Sequence, residues 1–350
     1  MEISLGLSYV GDFEAQARQV AELESAGLDA VWVGEAYGFD APSYLGYLAA
    51  RTSTVRLGAG VLPIYSRTPA LLAMTAAGLD SLSGGRFQLG LGASGPQVVE
   101  GWHGVPYDAP LARTREIVDI CRTVWARDKP VVHSGPRYPL PLPPDRGTGL
   151  GKAMKIIPRL VRDRIPVWLA ALGERNVQLA ATVADGWLPA FLIPEKVQDT
   201  WGAALAAGLE ARDPALGPLQ ITAGVTLAIG EGPEVVAARE LPRPALALYI
   251  GGMGARGHNF YADLVGRFGW ESEAREIQDL YLAGRKDQAA AAVPEGLLEL
   301  TSLCGPPGYV ADRIAAYREA GVTQLQVAPV PVGEQRTIDL IEQVKTLSDN

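Results

Sequence analysis

The sequence predicts an α/β chain folded as a (β/α)8 barrel. Three observations carry that expectation: eight short apolar runs, helical patterns between them, and a length of 350 residues that suits one closed barrel with insertions. The runs are apolar on both parities, as strands covered on both faces are.

The first strand is read at 3–7 (ISLGL), followed by a helix at 12–27 that starts behind Asp12 and keeps Phe13, Ala17, Val20 and Ala21 on one face. A strand at 30–34 (AVWVG), a helix at 42–52, a strand at 55–60 (VRLGAG), a helix at 69–83 and a strand at 87–92 (FQLGLG) continue the alternation. It resumes with strands at 165–171 (IPVWLAA) and 186–190 (GWLPA), each followed by helical sequence, and a long strand at 219–230. A helix at 309–321, a strand at 322–329 and a helix at 336–347 end the chain. An open doubly wound sheet is the rival, but it wants a GxGxxG turn after the first strand, and LGLSYVGDF supplies none.

Two stretches interrupt the pattern. Residues 133–154 are rich in proline and glycine and too long for a routine connection, and residues from about 233 to 304 hold helical patterns with no obvious strand. The expectation is one domain over 1–350, with both insertions at the barrel face where chemistry happens, as substrate walls or lids.

Composition narrows the function. Hydrophobic residues at 48% and charged residues at 20% describe a chain that folds in water. The 39 acids outnumber the 31 bases and no dense Lys/Arg block occurs, so neither nucleic acid nor an anionic membrane is an expected partner. Cys121 and Cys304 make no disulfide framework, Glu2 stands where a signal peptide places positive charge, and no long uninterrupted apolar segment exists, so a cytoplasmic location is expected. His103, His133 and His258 lie far apart with no HxxxH or CxxC, so no metal is expected.

Glycine and proline together make about 19% of the chain, and the surplus glycine needs a home. At the C-terminal ends of the proposed strands stand Gly6 and Ser8, Gly34 and Glu35, Gly58 and Gly60, Gly90, Gly92, Ser94 and Gly95, Gly173, and Gly186. One such glycine ends a strand and no more, but the set suits close approach of backbone to a flat or phosphorylated ligand. Glu35, at the rim beside an apolar interior, is either a proton-exchanging carboxylate or a cap on the following loop. Tyr37, Tyr65, His103, His258 and Asn259 are candidate substrate contacts, with packing as the alternative for each.

Residues 58–97, GAGVLPIYSRTPALLAMTAAGLDSLSGGRFQLGLGASGPQ, resemble the signature segment of the bacterial luciferase-like superfamily. AELESAGLDAVWVGEAYG, LGLGASGPQVVEGWHGVPYDAP and LAALGERNVQLAATVADGWLPA are similar to its deazaflavin-dependent oxidoreductases, related to methylenetetrahydromethanopterin reductase and F420-dependent glucose-6-phosphate dehydrogenase. The resemblance covers nearly the whole chain and is weakest at 233–300. It implies a TIM barrel that binds coenzyme F420 at the strand C-termini, with a non-prolyl cis peptide after the third strand, here at Gly60–Val61, and a homodimer. It also implies that Glu35 lies beside the ring, that Gly92, Ala93, Ser94 and Gly95 form the next loop, and that Ala170, Ala171, Leu172 and Gly173 meet the phosphate. Ser8, after the first strand, is a further candidate cofactor contact on its position alone.

The sugar-phosphate-oxidising relatives carry a histidine beside that acidic residue and a glutamate in the loop after the fourth strand. Here Ala36 follows Glu35 and the loop reads ASGPQ. Hydride transfer to a C=C, C=N or C=O bond of a small organic molecule is therefore the expected reaction. An FMN-dependent monooxygenase is the alternative within the same superfamily, and a non-catalytic F420 carrier is the alternative outside enzymes.

Overall fold

A computed structural model describes residues 1–8 and 10–349. Among the described residues ten strands form: β1 (Glu2–Leu7), β2 (Ala30–Val33), β3 (Arg56–Ala59), β4 (Leu62–Pro63), β5 (Phe87–Gly92), β6 (Val167–Ala170), β7 (Gly186–Leu188), β8 (Gln220–Ile229), β9 (Ser302–Gly305) and β10 (Gln324–Pro329). Eight of them close a parallel barrel in the order β1-β2-β3-β5-β6-β7-β8-β10, with β10 pairing back to β1. The expected (β/α)8 barrel is the fold, and its eight strands are the eight apolar runs of the sequence.

The two extra strands do a common job. β3 pairs with β5 only at Leu57↔Phe87 and Gly58↔Gln88, and β4 takes over at Leu62↔Leu91 and Pro63↔Gly92. Likewise β7 pairs with the start of β8, and β9 takes over from Thr226↔Ser302 onward. The barrel wall is thus opened at two places toward its C-terminal mouth and patched by short strands. β9 corrects the strandless reading of 233–304: SLCG is too short to stand out after a run of helices. That insertion holds six α-helices and two π-helical segments, Leu248–Gly252 and Gly266–Trp270.

The helix Pro110–Ala126, absent from the sequence reading, packs on the helix Pro69–Leu82 and buries Ile117, Val118, Ile120, Cys121 and Trp125. After it, 127–166 contains only the bridge His133↔Leu140 and a short 3-10 turn, so the irregular stretch is longer than the expected 133–154.

Inside the barrel, Trp32 of β2 and Trp168 of β6 meet edge to face at 5.0 Å. A Cβ on Gly58 would overlap the Trp32 ring and one on Gly186 the Trp168 ring. Gly58 lies inside β3 and Gly186 begins β7 rather than ending a strand, so this part of the glycine surplus makes room for buried indoles, a use outside both readings given for the set. The Trp32 Nε1 donates to Gln324 Oε1 at 2.7 Å, satisfying a polar group that is otherwise sealed off. No helix among the described residues is long and apolar enough to cross a membrane.

Candidate functional site

Along a parallel strand, alternate residues face the barrel interior, and register ties the faces of neighbours together. Gly6, Gly60, Ala170, Gly224 and Ala328 share the interior face and are exposed, while the residues flanking them toward the helices, such as Leu5, Ala59, Leu169, Val225 and Val327, are buried. Exposure on the inner face means an open bowl. Its floor is the Trp32–Trp168 pair, and its lining carries no bulky side chain at these five positions.

One edge of the bowl is the Gly60–Val61 peptide, which is cis, as the resemblance implies. A Cβ on Gly92 would stand 2.6 Å from Val61 Cγ2 and 3.5 Å from Ala170 Cβ, so the close approach of the next strand requires glycine there. Ser94 follows with φ 58°, a left-handed backbone rare for a side-chain-bearing residue, and Ala93 packs against the core. Gly95 then opens the helix Pro96–Gly101 without a side-chain cap.

The loop after β6 is set by two indoles. Trp187 Nε1 donates to Ala171 O at 2.9 Å and Trp201 Nε1 to Leu172 O at 2.7 Å, and the two rings meet edge to face at 5.1 Å. With those carbonyls turned inward, Gly173 begins the helix Glu174–Val183 with no side-chain cap on its first N–H groups. Such an end attracts an anion.

Glu35 is not free. Arg67 grips both of its oxygens, Nη1 to Oε1 at 2.6 Å and Nη2 to Oε2 at 2.8 Å, and the Ala41 N–H donates to Oε2 at 2.9 Å. The carboxylate takes the first N–H of the helix Ala41–Arg51, whose N-cap is Asp40, and ties two rim loops together. Sequence reasoning did not single out Arg67, because the pair joins residues 32 apart and the side-by-side pairing of β2 with β3 brings their loops together.

The other expected contacts divide. Tyr65 donates from its hydroxyl to Asp108 O at 2.8 Å, and Arg113 stacks between the Tyr65 and Tyr138 rings at 5.5 and 5.3 Å while bonding Asp108. Burial, then the neighbouring Tyr107, pushes the Tyr65 hydroxyl up to about 12. Tyr65 is therefore a protonated strut between loops at neutral pH. Asn259 is sealed at 1% exposure: its Nδ2 donates to Tyr249 O and Ile250 O, carbonyls of the π-helical segment, and its Oδ1 accepts from Tyr261 N and Ala262 N. That corrects the expectation of a substrate contact, since no hydrogen-bonding position of its side chain is left over. Tyr37 and His258 are exposed, and His103 buries an Nε2 that has no partner among the described residues. Ser8 is exposed and accepts from Val10 N at 3.2 Å. Phe191, which sequence reasoning passed over, leaves β7 at φ 52° and packs on Tyr249 and Tyr261 of the insertion.

The bowl, the glycine cradle and the uncapped helix end suit a planar ligand carrying an anionic tail. A family model described as luciferase-like monooxygenase matches residues 2–324. A Mycobacterium tuberculosis protein named as a coenzyme F420-dependent oxidoreductase is 43% identical over 334 residues, 93% of this chain and 94% of that protein. The 5,10-methylenetetrahydromethanopterin reductase of Archaeoglobus fulgidus is 28% identical, covering 97% of each chain. Among solved structures, the coenzyme F420-dependent tetrahydromethanopterin reductase of Methanopyrus kandleri superposes with a TM-score of 0.77 at 23% identity, over 98% of this chain and 97% of that one. With the barrel, the cis Gly60–Val61 peptide and a match along nearly its full length, the chain belongs to the luciferase-like family.

Proposed function

We propose that the protein is a coenzyme F420-dependent oxidoreductase that reduces a C=C, C=N or C=O bond of a small organic acceptor. The observation that carries this reading is the open bowl of small residues set between the cis Gly60–Val61 peptide and the uncapped helix end at Gly173. Gly60, Val61, Gly92, Ala93, Ser94 and Gly95 would hold the ring from one side, and Ala170, Ala171, Leu172 and Gly173 the phosphate, with Ser8 at the rim. When bound, the reduced deazaflavin supplies a hydride.

The chain's own residues orient and exclude. Trp32 and Trp168 close the floor, so water reaches the bowl from above only. Glu35 fixes Arg67 at the rim and is read here as a positioning group, which leaves water or a tyrosine hydroxyl to deliver the proton to the acceptor. Tyr37, His103 and His258 are proposed to wall the acceptor's approach, and Tyr65 to hold that wall in place. The exposed face of the helix Pro69–Leu82, with Leu71, Met74, Gly78 and Leu82 and no charge among them, is proposed as the contact of a homodimer.

The relative at 43% identity is named for F420, which favours the deazaflavin over FMN. A crystal soaked with F420 tests the reading: ring density in the bowl with phosphate at Gly173 is expected, and density elsewhere would overturn it.

A further inference from the structure

Gln326 of β10 stands in the bowl between two glycines. It pairs in register with Ser4 of β1 on one side and Gly224 of β8 on the other. Its side chain leans over Gly6, where a Cβ would overlap the Gln326 Nε2. On the other flank, a Cβ on Gly224 would find no heavy atom within 4 Å, so open space adjoins the carboxamide. Below it Gln324, on the same face, is fully buried and engaged with Trp32 and Glu2.

Gln326 differs from Gln324 in both respects. It is only partly buried, and among the described residues its carboxamide has no hydrogen-bonding partner. A glutamine amide offers one acceptor oxygen and two donor hydrogens side by side. The remainder of the bowl lining at Gly6, Gly60, Ala170, Gly224 and Ala328 offers no side-chain polar group at all. Gln326 thus brings an unpaired, partly exposed carboxamide to the inner face, near the Thr226 hydroxyl and above the buried Gln88 and Trp168, and of these it alone presents a donor and an acceptor side by side to a flat ligand in the bowl.

We infer that Gln326 recognises the pyrimidine edge of the bound ring, accepting from its N3–H and donating to an adjacent carbonyl. That edge is the part of a deazaflavin that presents a donor beside an acceptor, the complement of a carboxamide. The role rests on the proposed cofactor and deepens it: Gln326 is a positioning residue that sets the ring's orientation and hence which face meets the acceptor.

A binding cycle tests this without turnover. Affinities for F420 and for F420 methylated at N3 are measured by quenching of the deazaflavin fluorescence, on the wild type and on Gln326→Leu, with thermal melts to confirm folding. Methylation should weaken wild-type binding about tenfold, the scale of one neutral hydrogen bond lost. Gln326→Leu should weaken F420 to a similar extent and bind the methylated form no worse than it binds F420. Equal methylation penalties in both proteins, or no penalty in the wild type, would overturn the role of Gln326 while leaving the cofactor in place. If Gln326→Leu melts early, Gln326→Met takes its place, and the wild-type methylation penalty stands on its own. Failure of F420 to bind the wild type would overturn the cofactor and this inference together.

Discussion

Arg67 holds Glu35 through both carboxylate oxygens, at 2.6 and 2.8 Å, with side-chain exposures of 13% and 8%. Removing one partner strands the other charge where little water reaches it. Glu35→Gln should therefore destabilise the fold by about 2–3 kcal/mol, and the double variant Glu35→Gln with Arg67→Met should cost less than the sum of the two singles. Chemical denaturation measures both. If Glu35 were the proton donor instead, the acid–base shape of the turnover profile would change in Glu35→Gln; it should keep its shape.

Gly92 and Gly95 lie close in sequence and differ in what surrounds them. A methyl at Gly92 would press on Val61 at 2.6 Å, whereas one at Gly95 would meet only Gln97 Oε1 at 3.5 Å. We expect Gly92→Ala to weaken F420 binding at least tenfold for an overpacking cost of about 1–3 kcal/mol, and Gly95→Ala to leave the melting temperature nearly unchanged. Fluorescence titration and melting of the two variants side by side check the contrast.

Asn259 supports the insertion. Asn259→Asp keeps the two accepting contacts and loses both donations to the Tyr249 and Ile250 carbonyls, so a loss of about 2–4 kcal/mol is expected. Well below the melting temperature, kcat/KM should stay within a factor of about two, because the side chain has no contact to spare for substrate.

Glu24 gives a pH signature. Burial works to raise its carboxyl, but the N–H groups of Val55, Thr54 and Ser53 and the Thr54 hydroxyl outweigh it and hold the group below its ordinary value. A depressed folded value stabilises the native state above the unfolded value and loses that contribution as pH falls through the folded one. Glu24→Gln should be less stable at neutral pH by about 1–2 kcal/mol, and the gap to wild type should close below roughly pH 4. Denaturation midpoints over a pH series measure it.

Met74 is 57% exposed on the uncharged face of the helix Pro69–Leu82. Met74→Asp should turn the proposed dimer into monomer in sedimentation velocity, with the far-ultraviolet spectrum unchanged.

The barrel was legible because its strands are apolar on both parities and its helices keep a separate period, two signals that survive without any knowledge of pairing. β9 was not: four residues after the helix Glu295–Leu300 carry no period of their own, and β8 recruits them. The helix Pro110–Ala126 was legible in principle, since Ile117, Ile120, Cys121 and Val124 recur at helical spacing. Near the mouth, Gly92 and Gly95 flank the turn after β5 and Gly173 precedes a helix, but Gly58 and Gly186 sit inside or at the start of strands. Glu35 and Asn259 were found as important side chains, but their tasks depend on partners that only tertiary closure supplies, Arg67 for one and the π-helical carbonyls for the other. Gln326 was missed because a glutamine in a strand carries no motif, and its meaning comes from the glycines on the neighbouring strands.

The central claim is that the bowl is built for a deazaflavin. Parallel titration of the purified protein with F420 and with FMN, each followed by fluorescence quenching, tests it most directly. Saturable, stoichiometric quenching of F420 with at most weak binding of FMN is the expected result. Tight binding of FMN with no response from F420 would contradict it.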